Sequence, residues 1–584
     1  MPTLTSEPSR ARPSDPSRQP PRPTSPRQLD DTIARVREGA HRFAKLSLEE
    51  RVALVREMQE GYLKVAEEIV SAACQAKGIA PGSPTEGEEW GAGMFVVRHL
   101  RLLRESLEAL RRTGNTPIGK VGRTADGRLT VGVFPSSAID GMLFNGVRAE
   151  VHLQPGVTEE VLATSRARFY HAPDHDGRVV LVLGAGNLNM IVVMDFLTKM
   201  FNEGKACIVK MNPVNGYLGP FLERGFASAV TRGFLAITYG GPNEGEYLVH
   251  HPGVDEIHLT GSDKTFNAIV WGPPGPERDQ RLALGTPLLA KPFTAELGNV
   301  SPAIVVPGPY SEAELAYQAE DIVSGMVYNA AFNCNAPRMI VTPKGWSRRT
   351  ELLAAVERAL AAAAPRQAYY PGAQDLYRRI VEGRSGISRV GVPNAPDALP
   401  WTLLAGLDAR NKTESAFAGE AFCPILFEVE VGSPDPVEFL SQAVSFANDR
   451  LWGTLSAGLV VHPKLLKDRG VNQAVDGAIR SLRYGTVAIN SWSGYSFAYG
   501  NPPWGGYPGA TNRDIQSGIG WVHNTSMLEG VEKAVLRAPL VMKPKPATHP
   551  SHRTAHRLMR RMVALENQPG WGKVPSVVYE AMRG

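Results

Sequence analysis

Apolar positions recur at helical spacing through the first part of this chain, and after Arg178 they gather into short β-branched runs separated by helical stretches. The change of period predicts amphipathic helices first and an alternation of strands and helices afterwards. In the helical part, Ser47-Leu48-Glu49-Glu50 has the form of a capping box, and Leu54, Met58, Val65 and Ile69 follow on one face. Thr85 with Glu88 repeats that form ahead of Met94, Val97, Leu103, Leu107 and Leu110. Both helices are expected to cover a core built elsewhere. Between residues 127 and 156 the alternation of Val131, Val133, Met142, Phe144, Val151 and Leu153 predicts an added β element, and residues 275–289 read as a second insertion.

From Arg178 the units repeat. A strand at 179–183 ends in Gly184-Ala185-Gly186, a helix runs to Asn202, and a second strand follows at 206–210. A helix at 218–231, a strand at 235–239, a short helix near Glu246 and a strand at 256–259 continue the series. Consecutive β-α-β units build a doubly wound parallel sheet, so the fold class is α/β. Nucleotide binding is the leading use of such a sheet, although fold alone does not establish it. The segment Gly184 to Asn189 opens like a dinucleotide fingerprint but lacks the third glycine. Lys210-Met211-Asn212-Pro213 stands where an acidic residue would close the second strand, so the segment reads as a tight turn.

Composition narrows the classes. At 584 residues the chain needs two or three domains, and 43% hydrophobic with 21% charged residues is ordinary for a globular protein. A net charge of +5 gives no support for nucleic-acid binding. Cys74, Cys207, Cys334 and Cys423 are scattered without zinc or disulfide spacing, which fits a reducing, cytoplasmic setting. No apolar run is long enough to cross a membrane, and the most apolar helical stretch carries Asp195. The Pro- and Arg-rich leader, residues 1–28, is expected to be disordered.

Two segments carry chemistry. Glu296-Leu297-Gly298-Asn299 sets a carboxylate beside a glycine turn, and Asn333-Cys334-Asn335 sets a thiol just past a helix running from Ser311 towards Asn329. A thiol and a carboxylate that meet would serve covalent thiol catalysis followed by hydrolysis. Leu259-Thr260-Gly261-Ser262 places a hydroxyl at a helix start, read either as a plain N-cap or as a pyrophosphate contact. Glu420-Ala421-Phe422-Cys423-Pro424 precedes a further strand, and Pro503-Trp504-Gly505-Gly506-Tyr507 lies near the end.

In this order, over residues 29–527, these landmarks resemble the aldehyde dehydrogenase superfamily. The resemblance implies a cofactor domain at 29–295, with a hairpin at 166–177, and a catalytic domain at 296–485. It also implies an oligomerisation strand within 486–527 that makes a homodimer or homotetramer, and leaves a basic extension at 528–584. By the same resemblance Cys334 is the nucleophile, Asn187 and the Cys334 backbone N–H hold the oxyanion, and Glu296 activates the hydrolytic water. Lys210, Gly261, Ser262, Leu297, Glu420 and Phe422 would contact NAD or NADP. Pro213 stands where many NAD-preferring members carry a glutamate, so NAD is the default and NADP stays open. Ala185-Gly186 and Asn335-Ala336-Pro337 also depart from the family pattern.

Trp492, Tyr495, Phe497 and Tyr499 fall where the family lines its substrate tunnel, favouring a hydrophobic aldehyde, long or aryl; packing of a subunit interface is the competing use. In the extension, Lys543, Lys545, Arg553, Arg557, Arg560 and Arg561 read as a solvated basic helix or a contact with an anionic surface or a second subunit. His549, His552 and His556 have metal-like spacing without an acidic or cysteine partner nearby in sequence, so no metal site is expected. A coenzyme A-acylating member and a non-catalytic, binding member are the alternatives. Glu296 argues against the first, and the set Cys334, Glu296, Asn187, Lys210 and Glu420 against the second.

Overall fold

A computed structural model describes residues 21–172, 175–391 and 397–584. Most of the leader therefore lies outside the described residues, but its end is ordered. Pro26 opens the helix Pro26–Ala44, Ser25 and Gln28 form its capping box, and Thr24 N donates to the Tyr239 carbonyl at 3.0 Å. Leu29, Ile33, Val36 and Ala40 of this helix pack on the strands Val179–Leu183 and Ala206–Lys210.

The capping box at Ser47 forms, with Glu50 N donating to Ser47 Oγ at 3.2 Å and Ser47 N to Glu50 Oε2 at 2.8 Å. The one expected at Thr85 does not. A 3-10 turn, Pro84–Glu86, leads into the helix Gly87–Thr113 with no side-chain cap. Glu88 is drawn away from the helix end by Arg366, whose Nη1 donates to both of its carboxylate oxygens at 2.8–2.9 Å. A charge-assisted pair outweighs a neutral cap.

Among the described residues, one sheet runs in the order Gly518–Ile519, Phe293–Leu297, Glu256–Gly261, Val179–Leu183, Ala206–Lys210, Leu235–Thr238. All pairs are parallel except the first. Strand order reverses between Val179–Leu183 and Glu256–Gly261, and at such a switch point the carboxyl ends of the strands leave a crevice. The helix Ile191–Phe201 is buried throughout, and its Asp195 is satisfied by Thr260 Oγ1 at 2.8 Å.

A second, eleven-stranded sheet has a parallel centre that includes Ser301–Val305, Pro337–Pro343, Ile425–Val431 and Ser456–Val460. The inserted β element is there as Leu129–Phe134 and Arg148–Leu153, which join this sheet through Val531–Arg537. Two expectations about assembly are corrected. Thr486–Ile489 is an inner strand, paired in parallel on both sides with Ser456–Val460 and Val531–Arg537, so its backbone groups are already spent. Residues 166–177 hold a one-turn helix, Arg168–His171, and no strand among those described; the Tyr170 hydroxyl donates to the Phe201 carbonyl at 2.6 Å.

The extension is also corrected. Its helix Ala555–Asn567 buries Leu558, Met562, Val563 and Leu565 against the helix Gly87–Thr113. Glu566, 3% exposed, accepts from Arg98 at 2.8 Å and Arg101 at 2.6 Å, and Arg98 also grips Asp140 at 2.9 and 3.0 Å. His549 is buried against Asp321 at 3.3 Å, a partner distant in sequence. The extension is thus folded onto its own chain.

Candidate active site

Cys334 owes its position to an unusual piece of backbone. The helix Glu312–Val327, capped by Ser311 and Glu314, ends in Asn329, Ala330 and Ala331, all left-handed with φ of 54°, 56° and 71°. Each such non-glycine residue costs on the order of 1 kcal/mol or more and persists only where its surroundings impose it. Here Asn329 Nδ2 donates to the Phe332 carbonyl at 2.8 Å and the Asn187 carbonyl at 3.0 Å, and its N–H donates to Glu88 at 3.1 Å. Buried Arg338 holds the Ala331 carbonyl and, at 2.7 Å, that of Cys423. This bracing leaves Cys334 half-buried beside Glu296 on the strand Phe293–Leu297.

The thiol and the carboxyl are close enough to act on each other's ionisation. Burial, aided by neighbouring Asp195, pushes the Glu296 carboxyl up to about 8, against the pull of the Trp504 indole N–H, which donates to Oε1 at 3.3 Å. Burial and the charges of Glu296 and Glu420 raise the Cys334 thiol well above its ordinary value. Asn187 sits in the turn after Val179–Leu183, with Nδ2 donating to the Phe332 carbonyl at 3.1 Å, so one hydrogen of its amide is still uncommitted.

The cofactor candidates divide. The ladder sets Gly261 beside Leu297 and Thr260 beside Glu296, and it sets Leu183 beside both Lys210 and Leu259, so these strand ends border the same crevice. Ser262 caps the helix Asp263–Trp271, accepting from Thr265 N at 3.2 Å. Lys210 is half-buried, and its stem reaches Gly245 of the helix Pro242–His250. Glu420 lies over the glycine turn: a Cβ on Gly298 would stand 2.0 Å from its Oε2. Burial raises this carboxyl to about 8 despite nearby Arg338, and its Oε1 is buried with no partner. A buried acceptor left over beside a switch-point crevice suits the ribose hydroxyls of a dinucleotide. Phe422 stands at 5.6 Å from Phe332 and 5.0 Å from Tyr370, centroid to centroid.

Sequence reasoning missed the supports. Arg338, Glu88 and Tyr369, whose hydroxyl donates to the Asn187 carbonyl at 2.7 Å, carry no motif signal. Trp504 did: it lies in a recognised segment, and an indole among apolar neighbours needs an acceptor for its N–H. Trp492, Tyr495 and Phe497 line a cavity of about 30 Å³ that includes Cys334. Trp492 Nε1 donates to the Asn335 carbonyl at 3.0 Å, Phe497 packs on Trp504 at 5.5 Å, and the Tyr495 hydroxyl bonds that of Thr548 in the extension.

A doubly wound sheet with a switch-point crevice lies beside a second α/β sheet, and a thiol, a carboxyl and an amide gather at this place. The aldehyde dehydrogenase family model matches residues 160–371. N-succinylglutamate 5-semialdehyde dehydrogenase 1 of Caulobacter vibrioides is 27% identical over 193 residues, 32% of this chain and 36% of that protein, so the match spans about a third of the relative. The NADP-dependent glyceraldehyde-3-phosphate dehydrogenase of Bacillus halodurans C-125 superposes with a TM-score of 0.58 at 18% identity, covering 88% of this chain and 91% of that one. Aldehyde dehydrogenase C of Pseudomonas syringae gives 0.58 at 17%, covering 87% and 88%, and the Mycobacterium tuberculosis aldehyde dehydrogenase 0.56 at 19%, covering 88% and 91%. At these identities the structural likenesses speak for the fold. The family-model match over residues 160–371, together with this fold, supports the aldehyde dehydrogenase superfamily as the chain's family.

Proposed function

We propose that the protein oxidises a hydrophobic aldehyde to its carboxylic acid with NAD, or NADP, as hydride acceptor. The juxtaposition of the Cys334 thiol and a buried Glu296 carboxyl raised to about 8 carries this reading. A carboxylate that takes a proton near neutral pH suits a general base. Cys334 Sγ bonds to the carbonyl carbon, the π pair moves to oxygen, and the thiol proton passes to Glu296. The oxyanion is met by the Cys334 N–H and the free hydrogen of the Asn187 amide. Lys210, Ser262, Gly261, Leu297, Glu420 and Phe422 would hold the nicotinamide cofactor; when bound, it accepts hydride from the former aldehyde carbon, leaving a thioester on Cys334. Glu296 releases the thiol proton to solvent and, ionised again, takes a proton from water as the water oxygen bonds to the acyl carbon; the C–S bond breaks, and the departing Cys334 sulfur recovers its proton from Glu296.

Pro213 at the start of the 3-10 turn Pro213–Leu218 offers no carboxylate to repel a 2′-phosphate, which leaves NADP admissible beside NAD. The test is a panel of aliphatic and aryl aldehydes with each cofactor, without coenzyme A. Reduced cofactor should form, and Cys334→Ser should abolish it. A requirement for coenzyme A together with full turnover in Glu296→Gln would sink the hydrolytic reading.

A further inference from the structure

The cavity at Cys334 has room for little more than the reacting carbonyl, about 30 Å³. Beyond it lies a much larger one of about 500 Å³, within the range of sites that bury small organic ligands. The two share Phe95, Tyr328, Tyr495, Ala498 and Thr548 as a common wall. One side of the large chamber is the helix Gly87–Thr113, with Gly91, Met94 and Phe95, and Leu143 and Phe144 of the β insertion. The other side is the extension: residues 542–550, then Leu558, Met559 and Met562, then Val577, Val578, Ala581 and Met582. The Arg98 guanidinium in its wall is spent on Asp140, Glu566 and the Tyr499 carbonyl, so that charge does not demand a polar guest. Met142, Val578 and Met582, exposed by 42%, 38% and 69%, stand at its rim. Apolar groups left in water at a cavity mouth are what an apolar chain would cover on entering.

We infer that this chamber is the binding site for the alkyl tail of a long-chain aldehyde, and that the C-terminal extension sets chain-length specificity by forming its outer wall. The inference rests on Cys334 being the nucleophile that takes the aldehyde head. It assigns a role to the two segments, 127–156 and 528–584, that the site chemistry does not use. The occupant follows from adjacency: the two cavities meet at these five residues, so a substrate whose head is held at Cys334 turns its distal end towards the larger one.

Two substitutions on different elements fill the chamber. A side chain at Gly91 would start 3.6 Å from the Tyr328 hydroxyl and 3.8 Å from Met559 Sδ, ordinary contact distances, so Gly91→Leu occupies empty space without displacing backbone. Ala581→Phe narrows it from the extension. With dodecanal, kcat/KM should fall at least tenfold in each variant, while propanal stays within about twofold. Independently of turnover, dodecan-1-ol should bind the unmodified full-length protein at one per chain by calorimetry, and binding should weaken at least tenfold in both variants. Unchanged dodecanal kinetics in both, or dodecan-1-ol binding that neither alters, overturns the chamber. If no aldehyde is oxidised but dodecan-1-ol binding is lost in the variants, the chamber stands and the catalytic reading falls.

Discussion

Replacing Trp504 by Phe removes a single donor from Glu296 and leaves an aromatic ring of similar outline against Phe497. The Nε1–Oε1 distance of 3.3 Å is long for a charge-assisted hydrogen bond, so its worth lies at the low end of the range for bonds to ionised groups, about 1.5 kcal/mol. At 1.36 kcal/mol per unit this raises the carboxyl by about one unit. The starting value is about 8. If Glu296 must be ionised to act, log kcat/KM rises with unit slope below that value and levels above it, because kcat/KM reports the free enzyme. At pH 7.5 the ionised fraction would drop from about one quarter to about one thirtieth, a loss of roughly eightfold. The assay is the pH profile of kcat/KM for one aldehyde at saturating cofactor, from pH 6 to 10. Near pH 10 the variant should recover most of the lost activity, which a packing defect would not allow. A limb that stays near 8 in the Phe variant, or a uniform loss at every pH, would refute the assignment of Glu296 as the titrating base.

Glu296→Gln tests the same group through stability. A carboxyl raised in the folded state favours the protonated form, so folding is weakened as pH climbs from the unfolded value near 4.5 through about 8. The Gln variant should melt with the parent at pH 4 and a few degrees above it at pH 8.5; coincident melting at pH 8.5 would contradict the burial argument. Gly298→Ala puts a Cβ 2.0 Å from Glu420 Oε2 and must displace that carboxylate. The KM for cofactor should rise at least tenfold while iodoacetamide labels Cys334 at the parental rate, and an unchanged KM would detach Glu420 from cofactor binding. Glu566→Gln strips the shared counter-charge from buried Arg98 and Arg101. The expected cost is about 3 kcal/mol, seen as a lower melting point and faster proteolysis within residues 540–584; parental behaviour in both would show that the network does not hold the extension.

How much of this was legible depends on whether a feature is local. Capping at Ser47, the helix start at Ser311, the run 179–183 and its glycine turn are decided by neighbours in sequence, and they stand where the sequence pattern set them. Thr85 failed as a cap because Glu88 is claimed by Arg366, far along the chain, and no local pattern reports that. The same holds for the left-handed run at 329–331. Nothing in Asn-Ala-Ala asks for positive φ; Asn187, Glu88 and Arg338 impose it from three other elements. Read by composition, the extension looked like a solvated basic helix. Its charges are unevenly used: Arg560 faces Glu67 at the surface, while the apolar stripe between the arginines makes the contact that matters. The strand at 486–489 is apolar whether it ends a sheet or lies inside one, and only the return of Val531–Arg537 shows which.

The charge arrangement gives the site its character. Glu296, Glu420 and Asp195 bring carboxyl groups to one buried region, while buried Arg338, the guanidinium near Cys334 and Glu420, donates to the Ala331 and Cys423 carbonyls. In low dielectric, groups so placed do not all ionise, so the Glu296 and Glu420 carboxyls hold protons to higher pH than exposed ones would, and the thiol is held protonated more firmly still. A reluctant thiol is a poor nucleophile on its own. In the proposed mechanism it becomes effective in the fraction of molecules whose Glu296 is ionised, where its proton has a neighbour to go to as the carbon–sulfur bond forms. On that proposal, the same burial that silences the cysteine at rest suits the glutamate to act as base, and one environment shifts both groups.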